Sequence, residues 1–152
     1  TLASTSMASP LSGLVIKRAI EINKPDRGDA IDVLAKVGGF DIAGLTGAFI
    51  GAAVYRVPIL IDGFISATAA LAAIRIKPEV KEYVFPSHGS AEPGSKIVLE
   101  EIGFSPYLNL EMRLGEGTGA ALAFMIFDAA FAAYDNMGTF DDAGIEQYVP
   151  LS

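Results

Sequence analysis

Three stretches of the chain repeat one order: a short apolar run, a loop of glycine and polar residues, then an apolar helical pattern. The first is Val57-Pro58-Ile59-Leu60-Ile61, followed by Asp62-Gly63 and a helix over 64–74. The second is Tyr83-Val84-Phe85, a loop over 86–94 and a helix over 95–102. The third is a strand over 107–112, a loop over 114–118 and a helix over 119–137. Apolar strands that are largely continuous, each followed by a helix, belong to a parallel sheet buried on both faces. The expected architecture is α/β, a doubly wound, Rossmann-like parallel sheet flanked by helices.

Helices are also expected upstream. A pattern over 14–22 stops at Asn23-Lys24-Pro25. Asp29 is placed to cap a helix over 30–37 that Gly38-Gly39 ends. A third helix over 42–55 follows Asp41, with Gly44, Ala48 and Gly51 spaced for close helix packing. Residues 138–152 are polar and irregular, and are expected to dock back as a short helix on a small second, helical domain.

Composition narrows the function. The 152 residues are 51% apolar and 19% charged, which excludes disorder and allows one real core. A net charge of −7 without a basic cluster disfavours nucleic acid. The apolar stretches 42–55 and 120–134 are read as too short and too interrupted to span a bilayer. No cysteine and a single histidine, His88, leave no metal-ligand set, so no metal and no cofactor is expected. Residues 1–9 lack the pattern of a signal peptide, and a cytoplasmic location fits.

In open α/β sheets, ligands bind beyond the carboxyl ends of the strands, where the three loops sit. In Leu114-Gly115-Glu116-Gly117-Thr118-Gly119, glycines at alternate positions let the backbone come close to a ligand and leave Glu116 without bulky neighbours. A carboxylate at a strand end, backed by an apolar helix and partly desolvated, suits proton abstraction near neutral pH. The alternative is that Glu116 only interacts with the start of the following helix. The spacing departs from the full dinucleotide fingerprint, so a nicotinamide-dependent oxidoreductase is disfavoured.

Asp62 ends the most apolar strand, either to accept from ribose hydroxyls or to cap the 64–74 helix. Ser90 and neighbouring N–H groups in the second loop can hold a phosphate, or Ser90 can be an ordinary cap with Glu92 completing a turn. His88 is read as held by the fold or at the mouth of the site. Gly38-Gly39 either brings N–H groups to a ligand or makes a tight helix corner. Tyr134, Met137 and Phe140 read as core or interface residues.

Taken together, Val33 to Gly44, Val57 to Ile65, His88 to Gly94, Arg113 to Ala121 and Tyr134-Asp135-Asn136-Met137 with Thr139-Phe140 resemble the nicotinate-nucleotide:dimethylbenzimidazole phosphoribosyltransferase family of the cobalamin pathway. The resemblance implies transfer of ribose 5-phosphate from nicotinate mononucleotide to 5,6-dimethylbenzimidazole, giving α-ribazole 5′-phosphate and nicotinate. It implies Glu116 as the base, Gly89 and Ser90 near the 5′-phosphate, Asp62 near the ribose, and Leu114 and Gly115 near the aromatic ring or nicotinate. It implies a homodimer, with the helices over 42–55 and 64–74 as candidate interface. It also implies that 1–137 is the C-terminal portion of an α/β domain whose upstream half is missing, with a further gap near 11–17. The alternative function is a non-catalytic nucleotide- or phosphate-binding domain.

Overall fold

The structure, a computed structural model, describes residues 10–112 and 116–144. The chain enters through α1 (Pro10–Asn23), which runs unbroken through Gly13 and leaves Leu14, Val15 and Ile16 exposed. Helix α2 (Ala30–Val37) starts where the sequence expects, because the Asp29 carboxylate accepts from the N–H groups of Ile31 and Asp32 at 2.9 and 3.3 Å. Helix α3 (Phe40–Val54) follows after Gly38-Gly39. Strand β1 (Ile59–Ile61) then leads into α4 (Gly63–Ile76), and a 3-10 turn (Pro78–Tyr83) into β2 (Val84–Pro86). Helices α5 (Pro93–Ile102) and α6 (Thr118–Asn136) complete the order.

Strands β1 and β2 pair in parallel, with Ile59, Leu60 and Ile61 opposite Val84, Phe85 and Pro86. The architecture is therefore α/β with a parallel sheet, as the strand–loop–helix repeats imply. The third expected strand, over 107–112, is reduced to one parallel bridge between His88 and Leu108. The Leu108 N–H donates to the Ser87 carbonyl at 3.0 Å, and the Gly89 N–H donates to the Leu108 carbonyl at 2.8 Å. Pro106 supplies no donor, Asn109 and Glu111 interrupt the apolar run, and Glu111 sits at φ 52°, a left-handed conformation that ends extended pairing.

The core is built on α4. Ala67, Ala69, Ala70 and Ala73 are fully buried, and their small side chains let α3 and α5 lie close on either side. Phe49 comes from α3, Ile61 and Val84 from the sheet, Val80 from the 3-10 turn, and Leu99 and Ile102 from α5. Thr46 is buried at the α3–α4 contact without an orphaned hydroxyl, since it donates to the Ile42 carbonyl at 2.8 Å and lies 3.3 Å from the Ala69 carbonyl.

Two packing expectations are corrected. The small-residue stripe of α3, Gly44, Ala48 and Gly51, is not a contact face among the described residues: a Cβ on Gly44 or Gly51 would meet open space, Ala48 is exposed, and Thr46, Phe49, Ile50 and Ala53 face the core instead. The last helix, expected over 119–137 and read as too short to cross a bilayer, is a 19-residue element long and apolar enough to do so by length and composition. Only Gly119 and Ala123 of α6 are buried. Tyr134, Met137 and Phe140 are exposed, so among the described residues they form no core. Residues 138–144 form an exposed turn closed by Thr139 and Asp142, and 145–152 lie outside the described residues.

Candidate active site

Three chain segments converge at the carboxyl end of β1: Asp62, the Ser87-His88 pair after β2, and the first turn of α6. Asp62 occupies the N-cap position of α4 with extended backbone, yet its side chain makes no capping bond to that helix. The expected cap on the 64–74 helix is therefore absent. The Ser66 hydroxyl stands in locally, accepting from the Asp62 N–H at 2.8 Å and donating to the Asp62 carbonyl at 2.7 Å.

The Asp62 carboxylate turns instead to another helix. Oδ2 accepts from the Gly117 N–H at 2.8 Å, and Oδ1 accepts from the Ala120 N–H at 2.9 Å. It thus caps α6 across 55 residues of sequence, at the end of the helix dipole where a negative charge is favourable. Gly117 adopts φ 82°, a conformation glycine takes without steric cost, and supplies no side-chain cap of its own. Oδ2 retains a second lone pair through which a ligand hydroxyl can still be bound.

His88 lies beneath this junction, 3% exposed. Its Nδ1 is 3.1 Å from Ser87 Oγ and 3.5 Å from Asp62 Oδ1. Ser87 is itself buried and donates to the Ile61 carbonyl at 2.5 Å. The imidazole packs so closely under α6 that a Cβ on Gly119 would be driven into the ring. Of the two sequence readings of His88, the one in which the fold holds it describes what is seen. The signal was available in Gly119, a glycine in a helical first turn whose φ needs no glycine, but only the neighbour explains it.

Glu116 directly precedes the tied Gly117 and is exposed, so the enclosure expected of a desolvated base does not come from the described residues. Leu114 and Gly115 lie outside the described residues. Gly89 and Ser90 stand on the wall of a cavity of about 850 Å³, with Lys96, Asn109 and Glu111 also lining it. The Gly89 N–H is spent on Leu108, and the Ala91 N–H is spent on the Met112 carbonyl at 3.1 Å. Ser90 Oγ accepts from the Glu92 N–H at 3.3 Å, which leaves its own proton free to donate. The side-chain donors on this wall are thus the Ser90 hydroxyl and Lys96, whose ammonium lies 3.8 Å from the Glu100 carboxylate on the same wall, more than the backbone the sequence suggests.

Gly38 and Gly39 are not brought to this junction. They form the α2–α3 corner, and Gly38 lines a separate hollow of about 230 Å³ with Thr68, Leu71 and Arg75 of α4. Those residues lie roughly 9–20 Å along α4 from Asp62 at the helical rise per residue. A Cβ on Gly38 would press on the Leu34 carbonyl, which accounts for the glycine locally. No group of three or more metal-ligating side chains occurs among the described residues.

The family described as Phosphoribosyltransferase matches residues 13–145. A nicotinate-nucleotide–dimethylbenzimidazole phosphoribosyltransferase from Acetivibrio thermocellus is 71% identical over 136 residues, covering 90% of this chain and 39% of the relative. A protein of the same name from Ruminiclostridium cellulolyticum is 72% identical over 137 residues, again 90% of this chain and 39% of the relative. The crystal structure of that enzyme from Thermus thermophilus superposes with a TM-score of 0.76 at 34% identity, covering 88% of this chain and 40% of that one. The chain therefore spans about 39% of the length of these two curated relatives. With the matched region covering most of its length, and with such identity, the chain belongs to the nicotinate-nucleotide:dimethylbenzimidazole phosphoribosyltransferase family.

Proposed function

We propose that the whole protein transfers the ribose 5-phosphate of nicotinate mononucleotide to 5,6-dimethylbenzimidazole, with Glu116 as the base. The observation that carries this reading is the tie from Asp62 to the Gly117 and Ala120 N–H groups, which holds the residue next to Glu116 at the carboxyl end of a parallel sheet. In the reaction, Glu116 takes the N–H proton of the benzimidazole. The other ring nitrogen attacks the anomeric carbon, the glycosidic C–N bond breaks, and its electron pair leaves with nicotinate from the opposite face. The centre inverts. A neutral azole would turn cationic on attack, so a carboxylate beside its N–H stabilises the transition state more than the ground state.

Within this reading the Ser90 hydroxyl and Lys96 face the 5′-phosphate, with Gly89 bringing the loop close. Asp62 orders the Glu116 turn and offers the remaining lone pair of Oδ2 to the ribose. Leu114 and Gly115 border the aromatic ring. Gly38 and Gly39 serve the substrate only indirectly, through the α2–α3 corner. Residues 1–137 are one part of the α/β domain, 138–152 pack on a small helical domain, and the enclosure Glu116 needs is supplied by the length of the relatives that the chain does not span. Protein, and no bilayer, covers α6. The enzyme works in the cytoplasm as a homodimer. Since the inward stripe of α4 is consumed by the core, α3 with its open glycine face is the better candidate for the interface.

The test is product analysis after mixing full-length protein with nicotinate mononucleotide and 5,6-dimethylbenzimidazole. α-Ribazole 5′-phosphate and nicotinate in equal amounts are expected, and binding of the nucleotide without either product would leave a non-catalytic binding domain. Sedimentation at micromolar concentration checks the dimer, which a monomer would refute.

A further inference from the structure

His88 has no part in the transfer chemistry above, yet it is the most enclosed titratable group at the junction. Its proton can be placed by elimination. Ser87 spends its only hydroxyl proton on the Ile61 carbonyl, so Ser87 Oγ meets the imidazole as an acceptor. Asp62 Oδ1, 3.5 Å away, is an acceptor too. With acceptors on both sides, Nδ1 carries the proton. Nε2 is then the ring's acceptor, which agrees with its burial without a hydrogen-bond partner among the described residues, since an orphaned acceptor is tolerated better than an orphaned N–H.

The Nδ1–H dipole faces the same Oδ1 that accepts from the Ala120 N–H, while Oδ2 of that carboxylate holds the Gly117 N–H. The Nδ1 side of the ring also fills the space that a side chain at position 119 would need. The imidazole therefore sets where Asp62 points and how near α6 can come, and through both it sets where the Glu116 turn stands.

We propose that His88 is a positioning residue for the transfer reaction, acting on Glu116 through Asp62 and the first turn of α6. The proposal rests on Glu116 being the base. Displacing a reacting group by about 1 Å can cost on the order of 100-fold in rate, whereas contacts to the sugar phosphate at the Ser90 wall are unaffected by a small shift of α6. The signature is thus a loss in kcat with little change in KM for nicotinate mononucleotide.

The experiment compares His88→Leu, His88→Asn and Asp62→Asn in the full-length protein. Leucine fills the volume but offers no N–H; asparagine places an amide N–H close to where Nδ1 stands. Leucine is expected to lower kcat roughly 10- to 100-fold with KM for nicotinate mononucleotide within about twofold, and asparagine to restore most of the loss. If His88→Leu fails to fold, Asp62→Asn carries the test, because its amide sets an N–H against donors; a loss in kcat is expected there, accompanied by a rise in KM for nicotinate mononucleotide because Asp62 also faces the ribose. Wild-type kcat in the folded His88→Leu protein, or in Asp62→Asn, would overturn the proposal, as would a loss that asparagine leaves unrepaired. Glu116→Gln run alongside separates the two claims. If it is dead while His88→Leu turns over normally, only the positioning role falls; if it turns over normally, the base assignment falls first.

Discussion

Helices α4 and α6 are written in nearly the same language and live in different surroundings. Both are rich in alanine and large apolar residues, both follow a loop at the carboxyl end of a strand segment, and one residue, Asp62, stands at the start of α4 and caps the start of α6 with its carboxylate. Yet α4 has a full stripe of alanines at 0% exposure, while Phe131 of α6 is 59% exposed and Met125 68%. The difference is one of neighbours. Helix α4 meets α3, α5, the 3-10 turn and β1 within the chain, so its small residues become the floor of a core. Helix α6 touches the described fold through its first turns and through Phe127, whose ring meets Phe85 edge-on at 5.2 Å. Apolar surface this continuous is the kind at which partners dock. Apolar composition makes α4 and α6 alike, and says nothing of what covers either helix.

The largest effect is expected at the start of α6. Glu116→Gln keeps the turn and removes the proposed base, so kcat should fall by about 100- to 10,000-fold with nicotinate mononucleotide still bound; single-turnover kinetics and a binding isotherm decide it. Next is the open face itself. If protein covers α6 in the full-length enzyme, Phe131→Ala should cost about 3–5 kcal/mol in denaturant unfolding, as a core aromatic does. A cost within about 0.5 kcal/mol would mean that this face stays open and that the contrast with α4 is permanent.

On the α4 side, Ala70→Leu forces extra volume between α3, α4 and α5. It should destabilise by about 1–3 kcal/mol, read as a fall of about 2–4 °C in Tm per kcal/mol, with kcat in the surviving folded fraction unchanged. An unchanged Tm would mean that α4 is packed more loosely than its buried alanines indicate.

The smallest effect belongs to α2. The Lys36 ammonium hydrogen-bonded to Asp32, together with the Asp26 N–H, holds the Asp32 carboxyl below its usual range. A carboxyl lowered on folding adds stability that is present above its unfolded pKa and is lost as pH falls through the folded one. The acid limb of a stability–pH profile should therefore flatten slightly in Asp32→Asn, while α6 variants leave that limb in place.

Much of the fold is legible in the sequence because it is local. Asp29 before an apolar pattern names its own helix start, Asn23-Lys24-Pro25 names a stop, and continuous apolar runs at 57–61 and 83–85 name parallel strands. The pattern at 107–112 promises more strand than forms, since Asn109, Glu111 and the left-handed turn outweigh the tyrosine and leucines beside them. The glycines of α3 look like a contact face in sequence because spacing alone cannot tell an intimate face from an open one.

The α/β order, the helix ends fixed by nearby caps, the loops that gather at one sheet edge and, through its motifs, the family all follow from the order of residues. That Asp62 caps α6 and leaves its own helix to Ser66, that His88 lies under Gly119, and that α4 is core while α6 is face emerge only in the folded chain. The reason is range. Caps and stops act over three or four residues and leave a trace in the sequence. A carboxylate reaching 55 positions ahead, or a ring filling a space that a glycine leaves, depends on which segments fold onto each other.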